Sequence, residues 1–226
     1  MAEKRQQLAL YTALAFHISG LIAIGLFNSA LFVNLTPLNL LVCFALIIYT
    51  QQFRVKGFWI FLLVAGFIGF TAEYIGVHTG YIFGSYSYGE KFGPGLDGVP
   101  FLIGVQWVVT MYCVGMVTHA LRRYLESRHH EASRKMGKRI LAFSLVSDGA
   151  LLAVVFDWVM EPTAIQLGYW QWEGNEIPLL NYITWYALSF VILAVFHLLP
   201  FRKDNHFAVH LFLIQFMFFL LMRFVL

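Results

Sequence analysis

The stretch GFWIFLLVAGFIGFTAEYIGVH, residues 57–78, is apolar along almost its whole length and carries a single acidic residue, Glu73. About 20 such residues in a helix cross a hydrocarbon core roughly 30 Å thick. The whole chain has this character, since 60% of its 226 residues are hydrophobic and only 12% are charged, against about 25% in soluble domains. Comparable apolar runs occupy residues 8–28, 36–52 (the shortest), 100–123, 138–160, 180–200 and 205–225. We therefore predict an all-α integral membrane protein with about seven transmembrane helices, forming one polytopic domain over residues 1–226.

The basic residues predict how the helices are oriented. Of the 15 Lys and Arg, all but Lys91 and Arg223 precede the first run or lie around the connections from the second to the third, the fourth to the fifth and the sixth to the seventh. The connection after the fourth run holds the most, including Arg134 and Lys135. The positive-inside rule assigns this side to the cytoplasm. We expect a cytoplasmic N-terminus, an external C-terminus and a multi-pass protein of the cell membrane. The net charge of +3 then reflects attraction to anionic lipid, not nucleic-acid binding.

Acidic residues at membrane depth are the first candidates for function. Asp157 and Glu161 lie four residues apart in VVFDWVMEP, residues 154–162, so they share a helix face. Together with Glu73 they incur a cost of roughly 2.5–3.5 kcal/mol each if placed at the membrane centre. The outer loops contain only one cation, Lys91, so structural ion pairs are a weak explanation. Acids gathered without compensating charge would hold at least one proton near neutral pH.

Two long outer loops, residues 79–99 and 161–180, are rich in aromatic residues, and Pro162 is expected to end the helix before the second loop. Alternation of the helices brings four helix ends to a similar outer depth. Besides the acids, those ends carry His78, Gln106, Trp107, Asn181 and Trp185. An aromatic belt at the membrane surface is the alternative explanation of the aromatic residues, but a belt does not require the acids and amides.

Several reaction classes lack the residues that they need. A retinal Schiff base requires a buried lysine, and the last apolar run, 205–225, has none. Only His206 and His210 have the spacing of a di-iron histidine cluster. We expect Cys43 and Cys113 to be packed apolar thiols, neither a disulfide nor a metal pair. What remains is acid–base chemistry on a hydrophobic alkene, with no metal and no cofactor, in which aromatic faces and a carboxylate stabilise a tertiary cation.

Four segments in order, EYIGVHTGYIFGSYSYG (73–89), GVPFLIGVQW (98–107), DWVMEPTAIQLGYWQWE (157–173) and IPLLNYITW (177–185), resemble the integral-membrane carotenoid hydratases. That family includes bisanhydrobacterioruberin hydratase and the bacterial γ-carotene 1'-hydratase. The resemblance implies addition of water across the terminal C1=C2 bond of an acyclic carotenoid end, which gives a tertiary 1-hydroxyl without a redox cofactor. It also implies an acyclic or monocyclic carotenoid as substrate, water as the second substrate and membrane lipid as the surroundings.

The chemistry of such a hydration suggests roles for individual residues. Asp157 or Glu161 would protonate C2, and Glu73, helped by His78 or Tyr74, would orient and deprotonate the water that attacks C1. In the expected substrate site, aromatic side chains shield the cation and amides hold the water; its members are Tyr74, Tyr81, Tyr86, Gln106, Trp107, Trp172, Asn181 and Trp185. Asp148 is left open between helix packing and a role in the site.

Two other functions fit parts of the pattern. A membrane carotenoid cyclase, or another acid-catalysed isoprenoid enzyme, begins with the same protonation. The cyclase captures the cation internally, so it has no need of the water-holding groups Gln106, Asn181 and His78. A lipid or proton-coupled transporter also keeps membrane acids, but it is expected to show internal pseudo-symmetry, and the sequence shows no such repeat. Oligomeric state, and hydration of one or both carotenoid ends, stay open.

Overall fold

The computed structural model describes residues 2–128 and 138–226, most of which lie in long helices. The helices are α1 (Ala2–Gly25), α2 (Ala30–Asn34), α3 (Thr36–Thr50), α4 (Lys56–Thr79), α5 (Leu102–Arg128), α6 (Lys138–Gln166), α7 (Leu179–Leu198) and α8 (His206–Val225). Among the described residues, six of these helices, all except α2 and α3, are long and apolar enough to cross a membrane. The prediction of an all-α membrane protein is confirmed.

Helix α3 has only 15 residues, yet its two ends contact opposite ends of the bundle. At its start, Thr36 Oγ1 lies 2.5 Å from Tyr169 Oη, just after the end of α6. At its end, Asn205 Nδ2, just before α8, donates to Thr50 Oγ1 at 2.9 Å. Because the end of α6 and the start of α8 lie on opposite sides of an alternating bundle, α3 crosses it over about 22 Å. The described part of the chain thus contains six helices long enough to cross a membrane and a shorter seventh, α3, that runs between the two ends of the bundle, so seven crossings stay a prediction.

Helix α5 lies at the centre of the bundle, where it packs against α3, α4, α6, α7 and α8. In its most apolar stretch of 18 residues, 72% of the residues are buried, the highest share among the long helices described. The close approach of α4 to α5 depends on Gly69, where a Cβ atom would lie 2.3 Å from Cγ of Trp107. The absence of a side chain at Gly69 therefore sets the position of Trp107 near the start of α5.

Short strands cover the end of the bundle at which α4 and α6 finish. The strands are β1 (Tyr86–Tyr88), β2 (Gly95–Leu96), β3 (Val99–Pro100) and β4 (Trp170–Trp172). Strands β2 and β3 pair with each other, and β1 pairs antiparallel with β4, so that Tyr86 lies opposite Trp172 and Tyr88 opposite Trp170. We call this second pair the β1–β4 ribbon. It joins the loop that follows α4 to the loop that follows α6.

Helix α6 continues through Pro162 to Gln166, so the prediction that Pro162 ends this helix was wrong. A proline removes one backbone donor, but neighbouring helices in a membrane bundle can keep such a helix intact. The turn after the proline is buried at Thr163 and Ala164, and Thr163 Oγ1 donates to the carbonyl of Phe219 on α8 at 3.5 Å. A local rule for helix ends does not include this packing.

Two helices extend into polar sequence beyond their predicted apolar runs. Helix α1 begins at Ala2 rather than near residue 8, and α5 ends at Arg128 rather than near residue 123. In the extension of α5, Arg122 and Glu126 form an i,i+4 ion pair of 2.7 Å, which supports helical structure. Of the basic residues that predicted the orientation, Arg134 and Lys135 lie outside the described residues, and the orientation itself stays a prediction.

Candidate active site

Three carboxyl groups are buried together next to the β1–β4 ribbon. Glu73 of α4 is 6% exposed, and Asp157 and Glu161 of α6 are 0% and 2% exposed. Among the described residues, none of the three forms an ion pair. The carboxyl groups line a cavity of about 30 Å³, which we call the acid cavity. Its other lining residues are Phe83, Tyr86, Tyr88, Ile103, Gln106, Trp107, Met160, Trp170, Trp172, Asn181 and Trp185. Neutral hydrogen-bond donors therefore take the place that cations would have around buried acids.

Glu73 accepts hydrogen bonds from three aromatic side chains. The phenols of Tyr86 and Tyr88 donate to Oε2 at 2.5 Å and 2.7 Å, and Nε1 of Trp107 donates to Oε1 at 3.0 Å. Residues two apart on a strand point to the same face, which is how β1 presents both tyrosines to one carboxyl group. Burial, and then the nearby carboxyl of Glu73, raise the pKa of both phenols well above its usual range, so both stay protonated and act as donors.

Glu161 is held by the opposite strand of the ribbon. Both indole groups of β4, Trp170 and Trp172, donate from Nε1 to Oε2 of Glu161, at 2.9 Å and 3.0 Å. The tryptophans share a strand face for the same reason as the tyrosines. Across the ribbon, the rings of Tyr86 and Trp172 are 5.0 Å apart. One two-stranded element thus positions donors for two acids that come from different helices.

Asp157 differs from the other two acids because it accepts only one hydrogen bond from the described residues. Nδ2 of Asn181, at the start of α7, donates to Oδ2 at 2.8 Å. The other oxygen, Oδ1, is buried and has no partner in the described part of the chain. Asp157 also lies on the same face of α6 as Glu161, as the four-residue spacing predicted. It is therefore the least constrained carboxyl group of the three.

Aromatic and amide side chains form the rest of the cavity wall. The rings of Trp107 and Trp185 stack with centroids 4.3 Å apart and an angle of 22°. Next to this pair, Nε2 of Gln106 contacts Sδ of Met160 at 3.4 Å. Indole faces attract cations, and an amide can hold water. The cavity therefore combines acids, cation-stabilising surfaces and polar groups in one buried space.

The structure brings together nine of the residues that the sequence proposed for the site. They are Glu73, Tyr86, Gln106, Trp107, Asp157, Glu161, Trp172, Asn181 and Trp185, and all nine line the cavity. They come from α4, β1, α5, α6, β4 and α7. The outer helix ends do converge, as alternation of the helices predicted, although the chemical role of each residue stays a prediction.

Three proposed residues lie outside this cavity. Tyr74 and His78 stack on each other on another face of α4, with ring centroids 4.3 Å apart, because positions 74 and 78 are about 100° and 140° around the helix from Glu73. Tyr74 donates to Asp97 at 2.9 Å, so neither residue can help Glu73 as expected. Tyr81 is 86% exposed in the loop after α4.

Sequence reasoning did not assign several residues that line the cavity. Tyr88 and Trp170 donate directly to acids, and Phe83, Ile103 and Met160 complete the wall. The alternation in YSY and WQW is a strand signal that could have placed Tyr88 beside Tyr86 and Trp170 beside Trp172. The signal is short, and the pairing of the two strands is not visible in either segment alone.

The described residues offer no arrangement suited to a metal ion. Within residues 2–128 and 138–226, no group of three His, Cys, Asp or Glu side chains is arranged to hold a metal ion. Cys43 and Cys113 are buried free thiols. Asp148 is exposed on α6 and accepts a hydrogen bond from Ser144 at 2.9 Å. That a reaction here needs no metal and no cofactor stays a prediction.

Comparison with known proteins identifies the family. A family model described as "Carotenoid biosynthesis protein" matches residues 33–226. No match was found among curated proteins or among solved structures. The matched range includes helices α3 to α8 and all the residues that line the acid cavity, and it indicates a carotenoid substrate in a membrane setting. The chain therefore belongs to the carotenoid biosynthesis protein family.

Proposed function

We propose that the chain is a carotenoid hydratase that adds water across the terminal C1=C2 bond of an acyclic carotenoid end. The observation that carries this proposal is a cavity of about 30 Å³ surrounded by three buried carboxyl groups, none of which has a cationic partner among the described residues. A water molecule needs roughly 10–15 Å³ of such space, so water fits beside the acids. Family membership supports the substrate class.

Asp157 is the proposed proton donor. It is fully buried, and its Oδ1 has no partner in the described part of the chain. A carboxylic acid in an apolar site can hold its proton and deliver it to a substrate. The proton goes to C2 of the alkene, where the π electron pair forms the new C–H bond. A tertiary cation is left at C1.

The aromatic wall is proposed to stabilise that cation. The stacked indoles of Trp107 and Trp185 line the cavity, and Trp172 and Tyr86 line it on the side of the ribbon. Cation–π contacts contribute up to about 2 kcal/mol each when they are desolvated. A carboxylate at the same site adds charge stabilisation of the transition state. These terms would lower the free energy of the cation that the protonation forms.

Water capture completes the proposed reaction. The oxygen of a water held by Asn181 and Gln106 gives a lone pair to C1, and one water proton passes to Glu161. Glu161 uses Oε2 for both indole hydrogen bonds, which leaves Oε1 outside those bonds. Glu73 uses both of its oxygens, so we assign it to holding the ribbon instead of to deprotonation. Transfer of a proton from Glu161 back to Asp157 resets the site.

The sum of these steps is one molecule of water added to one double bond. The overall oxidation level of the substrate does not change. The proposed enzyme is therefore a hydro-lyase that requires no redox cofactor. The cell membrane is its proposed location, because the substrate is a hydrocarbon and the chain crosses a bilayer. Acid–base catalysis by positioned carboxyl groups contributes typically 10²–10⁴-fold to a rate.

Expression in cells that make lycopene, followed by mass spectrometry of the pigments, tests the proposal. We expect a gain of one water per acyclic end, and no gain with the double variant Asp157→Asn/Glu161→Gln. An isomer of unchanged mass would instead identify a cyclase. Unchanged pigment in membranes that contain the folded protein would reject both reactions and favour transport or another substrate.

A further inference from the structure

A second and larger cavity lies beside the acid cavity. It has a volume of about 560 Å³, within the range of roughly 300–1,000 Å³ that small-molecule sites occupy. Helices α1, α3, α5, α6 and α8 contribute most of its wall, and α2 and the outer loops add the rest. Much of the lining is apolar, including Val109, Phe156, Phe218 and Phe219. The space is too large and too apolar to serve the three acids alone.

The mouth of this cavity faces the side of the bundle, between α1 and α3. Several lining residues on these two helices are exposed, among them Ala15 and Ser19 of α1 and Leu38 of α3. Most lining residues on α5 and α6 are buried, among them Val109 and Phe156. In a membrane, the lateral surface of the bundle is covered by lipid. The cavity therefore opens towards the bilayer and closes towards the protein centre.

The inner end of this cavity meets the acid cavity. Three side chains, Gln106, Met160 and Trp170, line both spaces. Gln106 and Met160 contact each other at 3.4 Å, and Trp170 donates to Glu161. A linear molecule that lies in the large cavity would thus present its end to the acids at this junction.

We propose that the large cavity binds the polyene chain of the substrate, which enters from the bilayer between α1 and α3 with its acyclic end first. This inference rests on the proposed function for its substrate class. A hydrocarbon chain fits better than a phospholipid, because none of the described lining residues is Lys, Arg, Asp or Glu. A charged headgroup would find no ionic partner there, whereas a polyene needs none.

The test measures retention of lycopene by purified protein, separately from its conversion. Each protein carries Asp157→Asn, so that bound pigment is not consumed, and is purified from lycopene-producing cells. Leu38→Trp and Ala15→Trp narrow the mouth at exposed positions, where folding tolerates a larger side chain. Leu151→Trp on α6 is the matched control, because Leu151 is 54% exposed and lies outside the cavity lining, while Leu38 is 49% exposed within it.

We expect the two mouth variants to retain about tenfold less lycopene than the control, since an overfilled site loses roughly that much affinity. Equal retention by all the variants, with equal thermal stability in detergent, would overturn the proposed cavity. So would failure of the Asp157→Asn protein to retain any lycopene. Retention that depends on the mouth, together with no hydration by the unmodified chain, would overturn the proposed function and leave the binding cavity standing.

Discussion

The three buried carboxyl groups differ in how firmly their surroundings hold them. Glu73 accepts three hydrogen bonds, Glu161 accepts two and Asp157 accepts one from the described residues. A carboxyl group with many donors is fixed in position, whereas one with few is free to exchange a proton with a ligand. This gradation is the reason for assigning the proton transfer to Asp157 and the structural role to Glu73.

Replacement of Asp157 by Asn tests this assignment. We expect Asp157→Asn to lower the rate of hydration at least about 100-fold, because loss of a general acid typically costs 10²–10⁴-fold. The same change at Asp148 provides a matched control on the same helix, since Asp148 is exposed and bonded to Ser144. Rates are measured from pigment conversion at equal protein level. Full activity of Asp157→Asn would transfer the acid role to another residue.

Removal of the Tyr88 hydroxyl tests how Glu73 is held. Tyr88→Phe removes one of three donors from a buried carboxyl group, so we expect a loss of about 1–3 kcal/mol in the free energy of unfolding. Tyr81→Phe should change little, because Tyr81 is 86% exposed. Denaturant unfolding in detergent gives both values. Equal stabilities of the two variants would mean that the Tyr88 hydroxyl contributes nothing to holding Glu73.

At the residue level, the sequence predicted the acids well and their partners less well. Carboxyl groups in apolar runs are rare and costly, so Glu73, Asp157 and Glu161 were visible without a structure. His78 and Tyr74 were proposed for their closeness in sequence to Glu73, but they lie on other helix faces. The true partners, such as Tyr88, come from a strand pair whose halves are far apart in the chain.

At the scale of secondary-structure elements, the crossing of α4 and α5 supports the site. Gly69→Ala would bring a Cβ atom to 2.3 Å from Trp107 Cγ, and Trp107 both donates to Glu73 and stacks on Trp185. We expect this variant to lose about 1–3 kcal/mol of stability through overpacking and to lose activity as Trp107 shifts. Thermal unfolding in detergent and pigment conversion measure the two effects.

A second glycine provides the control for this prediction. At Gly20 on α1, the nearest atom to a new Cβ would be Phe218 Cε2 at 3.6 Å, an ordinary contact. Gly20→Ala should therefore leave the stability close to that of the unmodified chain, and only stability is compared because Gly20 lines the large cavity. If Gly69→Ala behaved like Gly20→Ala, close packing at Trp107 would not be what positions Glu73.

Helix positions could be predicted because apolar length is a local property of the sequence. The two elements that escaped prediction depend on contacts from outside their own segment. The last turn of α6, after Pro162, is stabilised by burial of Thr163 against α8. The β1–β4 ribbon forms because residues after α4 and residues after α6 meet above the acids. Both sets of contacts join residues that are far apart in the chain, so no short segment of the sequence reveals them.

At the scale of the whole molecule, the charge pattern predicts which end of the bundle faces outward. Tyr81 is highly exposed at the end that carries the ribbon, and Ser127 is exposed at the opposite end of α5. A membrane-impermeant maleimide applied to right-side-out vesicles should label Tyr81→Cys, and should label Ser127→Cys only after permeabilisation. The buried Cys43 and Cys113 should stay unlabelled. The reverse pattern would invert the orientation.

The six long helices and the convergence of the polar helix ends could also be predicted from the sequence, since both follow from the apolar runs and their alternation. The large cavity could not be predicted from the sequence. Its wall combines residues from helices at both ends of the chain, such as Phe16 of α1 and Gln215 of α8. Neither residue has an unusual local sequence. Such a space is a property of packing and is seen only when the helices are assembled.

Conversion of lycopene by purified protein in isotopically labelled water is the most direct measurement of the proposed reaction. With heavy-oxygen water and no added cofactor, the product hydroxyl should carry the heavy oxygen. In deuterium oxide, one deuterium should appear at C2, delivered by the exchanged acid. An unlabelled hydroxyl, or a product of the same elemental composition as lycopene, would contradict hydration by the acid cluster.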